Sequence, residues 1–453
     1  MTHTGSDSCA LAAGGAVTAT APSLRRGLAR KRSLWPLLAV FLASAATAAG
    51  PVEAIREARI TGGLVAQVGS GDLALKALGE RFHVRLLVPD AAAVRKAQEA
   101  VDRAGLQGRF TVSTWDGKGL PFADRVLNAL VLAGAGLVGR EEAERILAPR
   151  GLLITPEGVT AMPVPETIDD WTHYLYDASG NAVSKDREVA PPKSFRWWAP
   201  PRHLRSHNYS ASFTGLVTSG GCVFHILDEG TFLFDQGGAT PRFALVARDA
   251  FNGALLWKKP LDGYGQPFYE DVAGQAVRDR VWRTPLSMNR RMVAVDDKVY
   301  VTLTYRESPL SILDAATGDV LHEVDLGGVD ELVAEGDRVV CRVRPTIPMP
   351  TDEMRGENSW AVLQRLKKEG HKDPQTELRA RVGDRLRASR NEEVVAVDAS
   401  SGEVLWRRAA PLVAVQSLAM AGGKVVFHNY RELVALDAAT GKPAWTYRCP
   451  LAD

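Results

Sequence analysis

Along the second half of the chain, short apolar runs alternate with small polar turn residues, and one phrase recurs four times. The runs Leu245-Val246-Ala247, Ser311-Ile312-Leu313, Val395-Ala396-Val397 and Val434-Ala435-Leu436 each lead into an Asp that is followed four residues later by a Gly. The pairs are Asp249 and Gly253, Asp314 and Gly318, Asp398 and Gly402, and Asp437 and Gly441. An Asp side chain accepts hydrogen bonds from turn amides and Gly takes the positive-φ position, so each phrase predicts a hairpin. Tighter turns precede the phrases at Gly220-Gly221, Asp296-Asp297, Gly336-Asp337 and Gly422-Gly423, each between β-rich flanks. Two hairpins per repeat predict four antiparallel strands per repeat, which is one propeller blade. Eight residues beyond each Asp stand Trp257, His322, Trp406 and Trp445. A large flat ring at the end of a strand suits the gap between neighbouring blades, so these residues are read as packing wedges and not as cofactor stackers.

The pattern differs upstream. Apolar runs at 64–68, 84–88, 110–112, 127–133 and 150–154 alternate with an Ala-rich helical stretch from Ala91 to Ala104 and a second from Glu141 to Leu147. Strands alternating with helices predict a parallel, Rossmann-like α/β domain over 55–155. Residues 1–48 are basic at Arg25, Arg26, Arg30, Lys31 and Arg32, then apolar from Leu34 to Ala46, ending in Ala46-Thr47-Ala48. That order predicts a secretory signal peptide and an exported protein of the periplasm or cell envelope, with no transmembrane span in the mature chain. No Cys follows the cleavage site, so no lipid anchor is expected.

Residues 156–194 read as a linker and lead-in segment, and 195–453 as the blades, interrupted by a helical insertion at 345–391. In that insertion Trp360, Leu363 and Leu366 share one helical face, and Leu378, Val382 and Leu386 another. The lead-in holds the densest set of hydrogen-bonding side chains: Trp171, His173, Asp177 and Asn181, with His203 and His207 beyond. Imidazole and carboxylate together can bind a divalent ion. No His-Glu-x-x-His spacing is present, so a loop-capping network is the preferred reading and no metal is expected.

The 453 residues carry a net charge of +2, which gives no electrostatic basis for a nucleic-acid partner. The four cysteines, Cys9, Cys222, Cys341 and Cys449, match no zinc spacing, and loss of Cys9 with the leader would leave an odd number.

The run Val394-Val395-Ala396-Val397-Asp398-Ala399-Ser400-Ser401-Gly402-Glu403-Val404-Leu405-Trp406 resembles the tryptophan-motif blade of the pyrroloquinoline-quinone (PQQ) propeller family. That family's rings have seven or eight blades. Four are visible here, an incomplete ring, and the missing blades are expected in a longer chain. Residues 120–124 and 145–154 look like later motifs of class I S-adenosylmethionine (SAM) methyltransferases, and Asp116 stands where that family places an adenine-contacting acid. Gly69 and Gly71 match part of its glycine motif. Gln67 replaces the acid before those glycines, and Val88 stands where an acid should bind the ribose, leaving Asp90 as a substitute. Phe195 to Trp198 look like an outer strand that closes a ring from the N-terminal side.

These resemblances imply a multidomain chain, a degenerate methyltransferase-like domain followed by a partial, about four-bladed PQQ-type propeller, similar to exported bacterial fusion proteins. The expected function is a binding or scaffold module with an unknown protein or small-molecule ligand and no cofactor. The alternatives are a SAM-dependent methyltransferase with a partner-binding propeller, and a quinoprotein dehydrogenase. PQQ enzymes of the family carry adjacent cysteines beside the quinone, and this chain has none.

Overall fold

The computed structural model describes residues 50–201, 213–230, 242–262, 264, 288–304, 307–344, 359–374, 392–410, 412–429 and 431–448. The leader, His203, His207, the side chain of Trp360, and Leu378, Val382 and Leu386 lie outside the described residues.

The N-terminal sheet is built from β1 (Gly63–Val68), β2 (Phe82–Val88), β3 (Phe110–Thr114), β4 (Leu127–Leu132), β5 (Leu147–Thr155) and β6 (Gly158–Ala161), in the order β3-β2-β1-β4-β5-β6. The first five strands are parallel and β6 is antiparallel to β5. The central strand β1 is buried on both faces, which accounts for its near-continuous apolar run. Helix α1 (Pro51–Glu57) precedes the sheet, α2 (Ala91–Arg103) joins β2 to β3, and α3 (Arg140–Ile146) joins β4 to β5. The connection from β1 to β2 holds only a four-residue 3-10 turn, Ala74–Ala77.

Four antiparallel four-stranded sheets follow. Blade 1 is β7 (Phe213–Ser219), β8 (Cys222–Asp228), β9 (Phe243–Asp249) and β10 (Leu255–Leu261). Blade 2 is β11 (Met292–Val295), β12 (Lys298–Val301), β13 (Leu310–Asp314) and β14 (Val320–Val324). Blade 3 is β15 (Val329–Glu335), β16 (Arg338–Val343), β17 (Glu393–Asp398) and β18 (Val404–Ala409), with helix α4 (Ser359–Lys368) inserted between β16 and β17. Blade 4 is β19 (Ala419–Ala421), β20 (Lys424–His428), β21 (Glu432–Asp437) and β22 (Pro443–Arg448).

The repeated phrase does the same local work in each blade. Asp398 Oδ1 accepts from the amides of Ser400 and Ser401 at 2.9 Å each, and Gly402 adopts a φ of +75°. Asp249, Asp314 and Asp437 repeat the arrangement, with Gly253, Gly318 and Gly441 in the same left-handed region. Every outer strand is then bulged one residue before the wedge, which turns the ring off the strand's regular alternation.

The wedges form a ladder. Trp257 lies against Gly318, where a Cβ would stand 2.7 Å from its ring, and donates its indole N–H to Ala315 O at 2.8 Å. His322 lies against Gly402, and Trp406 against Gly441 with an N–H to Ala438 O bond of 3.0 Å. Trp197, from the lead-in segment, takes the same seat on Gly253 and donates to Ala250 O at 3.0 Å. The glycines are thus required twice, by the positive φ and by the ring lying over them.

Blades 1 and 2 also hold the α/β domain. Asn128 Nδ2 donates to Asp249 Oδ2 at 2.7 Å, and Asn252 Nδ2 donates to Asn128 Oδ1 at 2.8 Å and to Val126 O at 2.9 Å. Arg59 pairs with Asp314, and Thr61 Oγ1 donates to Ala316 O at 2.8 Å. Burial pushes the Asp249 carboxyl above its usual range, partly offset by Asn128 and the turn amides. Because Arg59, Thr61, Val126 and Asn128 lie at the N-terminal ends of β1 and β4, the propeller sits at the sheet edge opposite Gly69 and Gly71.

Candidate functional site

Two places could carry function: the C-terminal edge of the parallel sheet, and the hub where the inner strands of the blades converge.

At the sheet edge, Gly69 follows β1, and Asp90 and Asp116 lie two residues beyond β2 and β3. Each group is already engaged. Gly69 has a φ of +88°, and a Cβ there would stand 2.7 Å from Leu137 Cδ1, so Leu137 covers the glycine. Gly71 is pressed by Ala97 of α2 and by Val88, with contacts of 2.9 and 3.3 Å to the same hypothetical atom. The buried Gln67 donates from Nε2 to Ser70 O, Asp72 O and Asp72 Oδ1, which ties the loop to itself. Asp72 in turn accepts from Ser70 Oγ and from the Ala74 amide. Asp90 caps α2 by accepting from Ala93 N at 2.8 Å, and Asp116 caps its own turn by accepting from Lys118 N at 3.1 Å.

At the hub, the lead-in segment does more than run into the first blade. Residues 171–178 cross the inner strands of all four blades. Thr218 N of β7 donates to Trp171 O at 2.7 Å, and Ala294 N of β11 donates to Thr172 O at 3.0 Å. Ala334 N of β15 donates to His173 Nε2 at 3.0 Å, and Met420 N of β19 donates to Ala178 O at 2.6 Å.

His173 is 5% exposed. Since Nε2 accepts from Ala334, the ring proton is assigned to Nδ1, 2.7 Å from Thr172 Oγ1, whose own hydroxyl donates to Tyr176 O at 3.2 Å. Burial pushes the imidazole down to about 3, with Asp177 opposing and Arg290 reinforcing the shift. A histidine held neutral in this way is a structural acceptor, not a proton carrier near neutral pH.

The remaining candidates divide. Trp171 donates its indole N–H to Tyr174 O at 3.2 Å and meets Tyr176 edge-on at 5.6 Å. Asp177 accepts from Ser179 and, with His173 and Arg290, lines a small cavity of 10 Å³. Asn181 is exposed and stands outside this arrangement. Among the described residues no group of three or more His, Cys, Asp or Glu side chains could hold a metal ion.

Sequence reasoning missed a buried ionic network at the far ends of the inner strands. Arg290 Nη1 donates to Glu331 Oε1 at 2.8 Å and to Leu418 O at 2.7 Å. Arg291 Nη2 donates to Asp330 Oδ1 at 2.7 Å, and Arg342 donates twice to Glu392 at 3.1 Å. Arg344 reaches Asp330 at 3.0 Å. Burial raises the Glu331 carboxyl against the pull of Arg290 and Arg342. Such a network adds little net stability, but removing one member strands its partner in a dry interior. The available signal was the doublets Arg290-Arg291 and Asp330-Glu331, charged pairs where inner strands should begin.

Residues 350–452 match the family model PQQ_2, described as outer membrane protein assembly factor BamB. No curated protein matches the chain. A SAM dependent methyltransferase from Aquifex aeolicus is similar at 23% identity, over 23% of this chain and 61% of its own, with a TM-score of 0.21. A europium-containing methanol dehydrogenase is similar at 12% identity, over 63% of this chain and 49% of its own, with a TM-score of 0.34. A quinohemoprotein alcohol dehydrogenase from Pseudomonas putida is similar at 15% identity, over 54% and 35% of the two chains, with a TM-score of 0.30. The chain therefore spans less than two thirds of each of these structures. Residues 350–452 thus carry PQQ-type repeats, and the N-terminal region is a Rossmann-like α/β sheet. No helix among the described residues is long and apolar enough to cross a membrane.

Proposed function

We propose that the chain is an exported propeller protein that acts as a binding or scaffold module, with an α/β domain that serves as a structural base and takes no SAM. The observation that carries this reading is the filling of the glycine edge by the protein's own groups. Leu137 packs against Gly69, Ala97 of α2 packs against Gly71, and Gln67 and Asp72 bind one another. A bound nucleoside needs close backbone approach and a carboxylate for its hydroxyls. Here Asp72 is held by Gln67 and Ser70, and Asp90 caps a helix. The residues present do not fit SAM.

PQQ fits no better at the hub. A cavity of 10 Å³ holds about one water molecule, far below the ~300 Å³ of a small cofactor pocket.

One observation favours the methyltransferase alternative: Asp90 and Asp116 are both exposed on the same sheet edge as Gly69. Thermal unfolding with millimolar SAM separates the readings. At a hundredfold excess over Kd a ligand adds about 2.7 kcal/mol, a shift of several degrees. The scaffold reading expects no shift; a clear rise confirmed by calorimetric titration would replace it with the methyltransferase.

A further inference from the structure

In blades 1 and 2 the residue four positions beyond the wedge packs into the gap between its blade and the next. It is Leu261 after Trp257 and Leu326 after His322, both buried. Leu261 joins Met292, Val299 and Leu313 of blade 2, and Leu326 joins Val395 and Val397 of blade 3. After Trp406 the same position is Ala410, and there the gap between blades 3 and 4 stays open as a groove of about 690 Å³. Val434 pairs with Phe427 and with Thr446, which sets all three on the face of blade 4 that packs against blade 3. The floor is apolar, formed by Phe427, Val434 and Leu436, and Arg408, Arg431 and Arg448 also line the groove. Arg408 and Arg431 are exposed, and neither joins an ion pair among the described residues. The acid beside them, Glu432, accepts from Asn429 Nδ2 at 3.3 Å.

We propose that this groove takes an acidic segment of a partner protein, with a leucine-sized side chain entering beside Ala410 and flanking carboxylates meeting Arg408 and Arg431. Charge complementarity selects the occupant. A guanidinium group binds a carboxylate through paired N–H donors, and an apolar floor beneath such groups favours an aliphatic side chain with acids on either side. The two neighbouring gaps show the shape that suits the floor, since a leucine fills each. The volume falls within the ~300–1,000 Å³ of sites that enclose a ligand, which leaves room for chain on both sides of the leucine. The proposal rests on the reading of the chain as a binding module and names its partner. A thermal shift with SAM would overturn that reading and leave the groove untouched, whereas failure of peptide binding would leave the SAM result as it stands.

Fluorescence anisotropy with the full chain and a labelled peptide of glutamates around a central leucine pair tests it. Binding should saturate at micromolar protein and weaken as salt rises. It should fall about tenfold in Arg408→Glu/Arg431→Glu, whose exposed side chains can be exchanged without disturbing the core. Ala410→Leu restores the side chain of the other gaps, and should also weaken binding about tenfold while keeping or raising the melting temperature. A peptide with serines in place of the leucines should not bind. No saturation at millimolar protein overturns the proposal, and so does equal binding of the serine peptide or full affinity in the charge-reversed variant. Unchanged affinity in a folded Ala410→Leu chain overturns it too, as does binding of dodecanoate without binding of the peptide. If Ala410→Leu does not fold, the charge-reversed variant and the serine peptide decide.

Discussion

Acidifying the protein should loosen it through His173 in a way that can be isolated and measured. In the folded chain burial holds this imidazole neutral down to about 3, while its ordinary value is 6.5. Between those limits the unfolded chain binds a proton that the folded chain refuses, so stability rises with pH across the window. The contribution is fully present above pH 6.5 and is lost progressively as pH falls toward 3. One unit corresponds to ~1.36 kcal/mol, so the loss is about 2 kcal/mol between pH 7.5 and 5, and about 5 kcal/mol if carried to pH 3. No discount for solvent screening applies to a ring that is 5% exposed. Other groups titrate in the same range, and His173→Gln removes only this one. Urea unfolding of both proteins at pH 7.5, 6 and 5 gives the difference directly. The stability gap in favour of the parent should shrink by about 2 kcal/mol from pH 7.5 to pH 5. A gap that does not change with pH would refute the assignment of His173 as a buried neutral acceptor.

Two further outcomes concern packing. Trp257→Ala and Trp406→Ala should each cost ~3–5 kcal/mol in urea unfolding, since each removes a buried ring from its seat. Trp445→Ala should cost less than ~1 kcal/mol because its ring is half exposed. Asn128→Ala leaves the Asp249 carboxylate without its Nδ2 donor and Asn252 Nδ2 with Val126 O alone as acceptor, and should lower stability by ~1–3 kcal/mol. Asn252→Ala on the other side of the same junction should add little once Asn128 is gone, because both changes act on one network.

The blades were legible because their signal is local. An Asp, a Gly four residues on and a ring four beyond that record turn, bulge and wedge within one hairpin, and the parallel sheet shows itself by the same short-range alternation. The hub was not legible. His173 meets Ala334 across 161 positions, and nothing in either residue's neighbours announces the other. The glycine edge shows a subtler limit. Gly69 and Gly71 read as room for a ligand, but a glycine is equally required where the protein's own Leu137 and Ala97 press against the backbone. The resemblance to methyltransferases flags Gln67 and Val88 as departures; it does not show which side chains pack against the glycines.

Residues 171–178 tie together the inner strands of all four blades. Hydrogen–deuterium exchange resolved to single amides tests it most directly. The amides of Thr218, Ala294, Ala334 and Met420, each bonded to that segment, should exchange as slowly as amides in the middle of the blades. Exchange of Ala294, Ala334 and Met420 at the rate of exposed loops would contradict it.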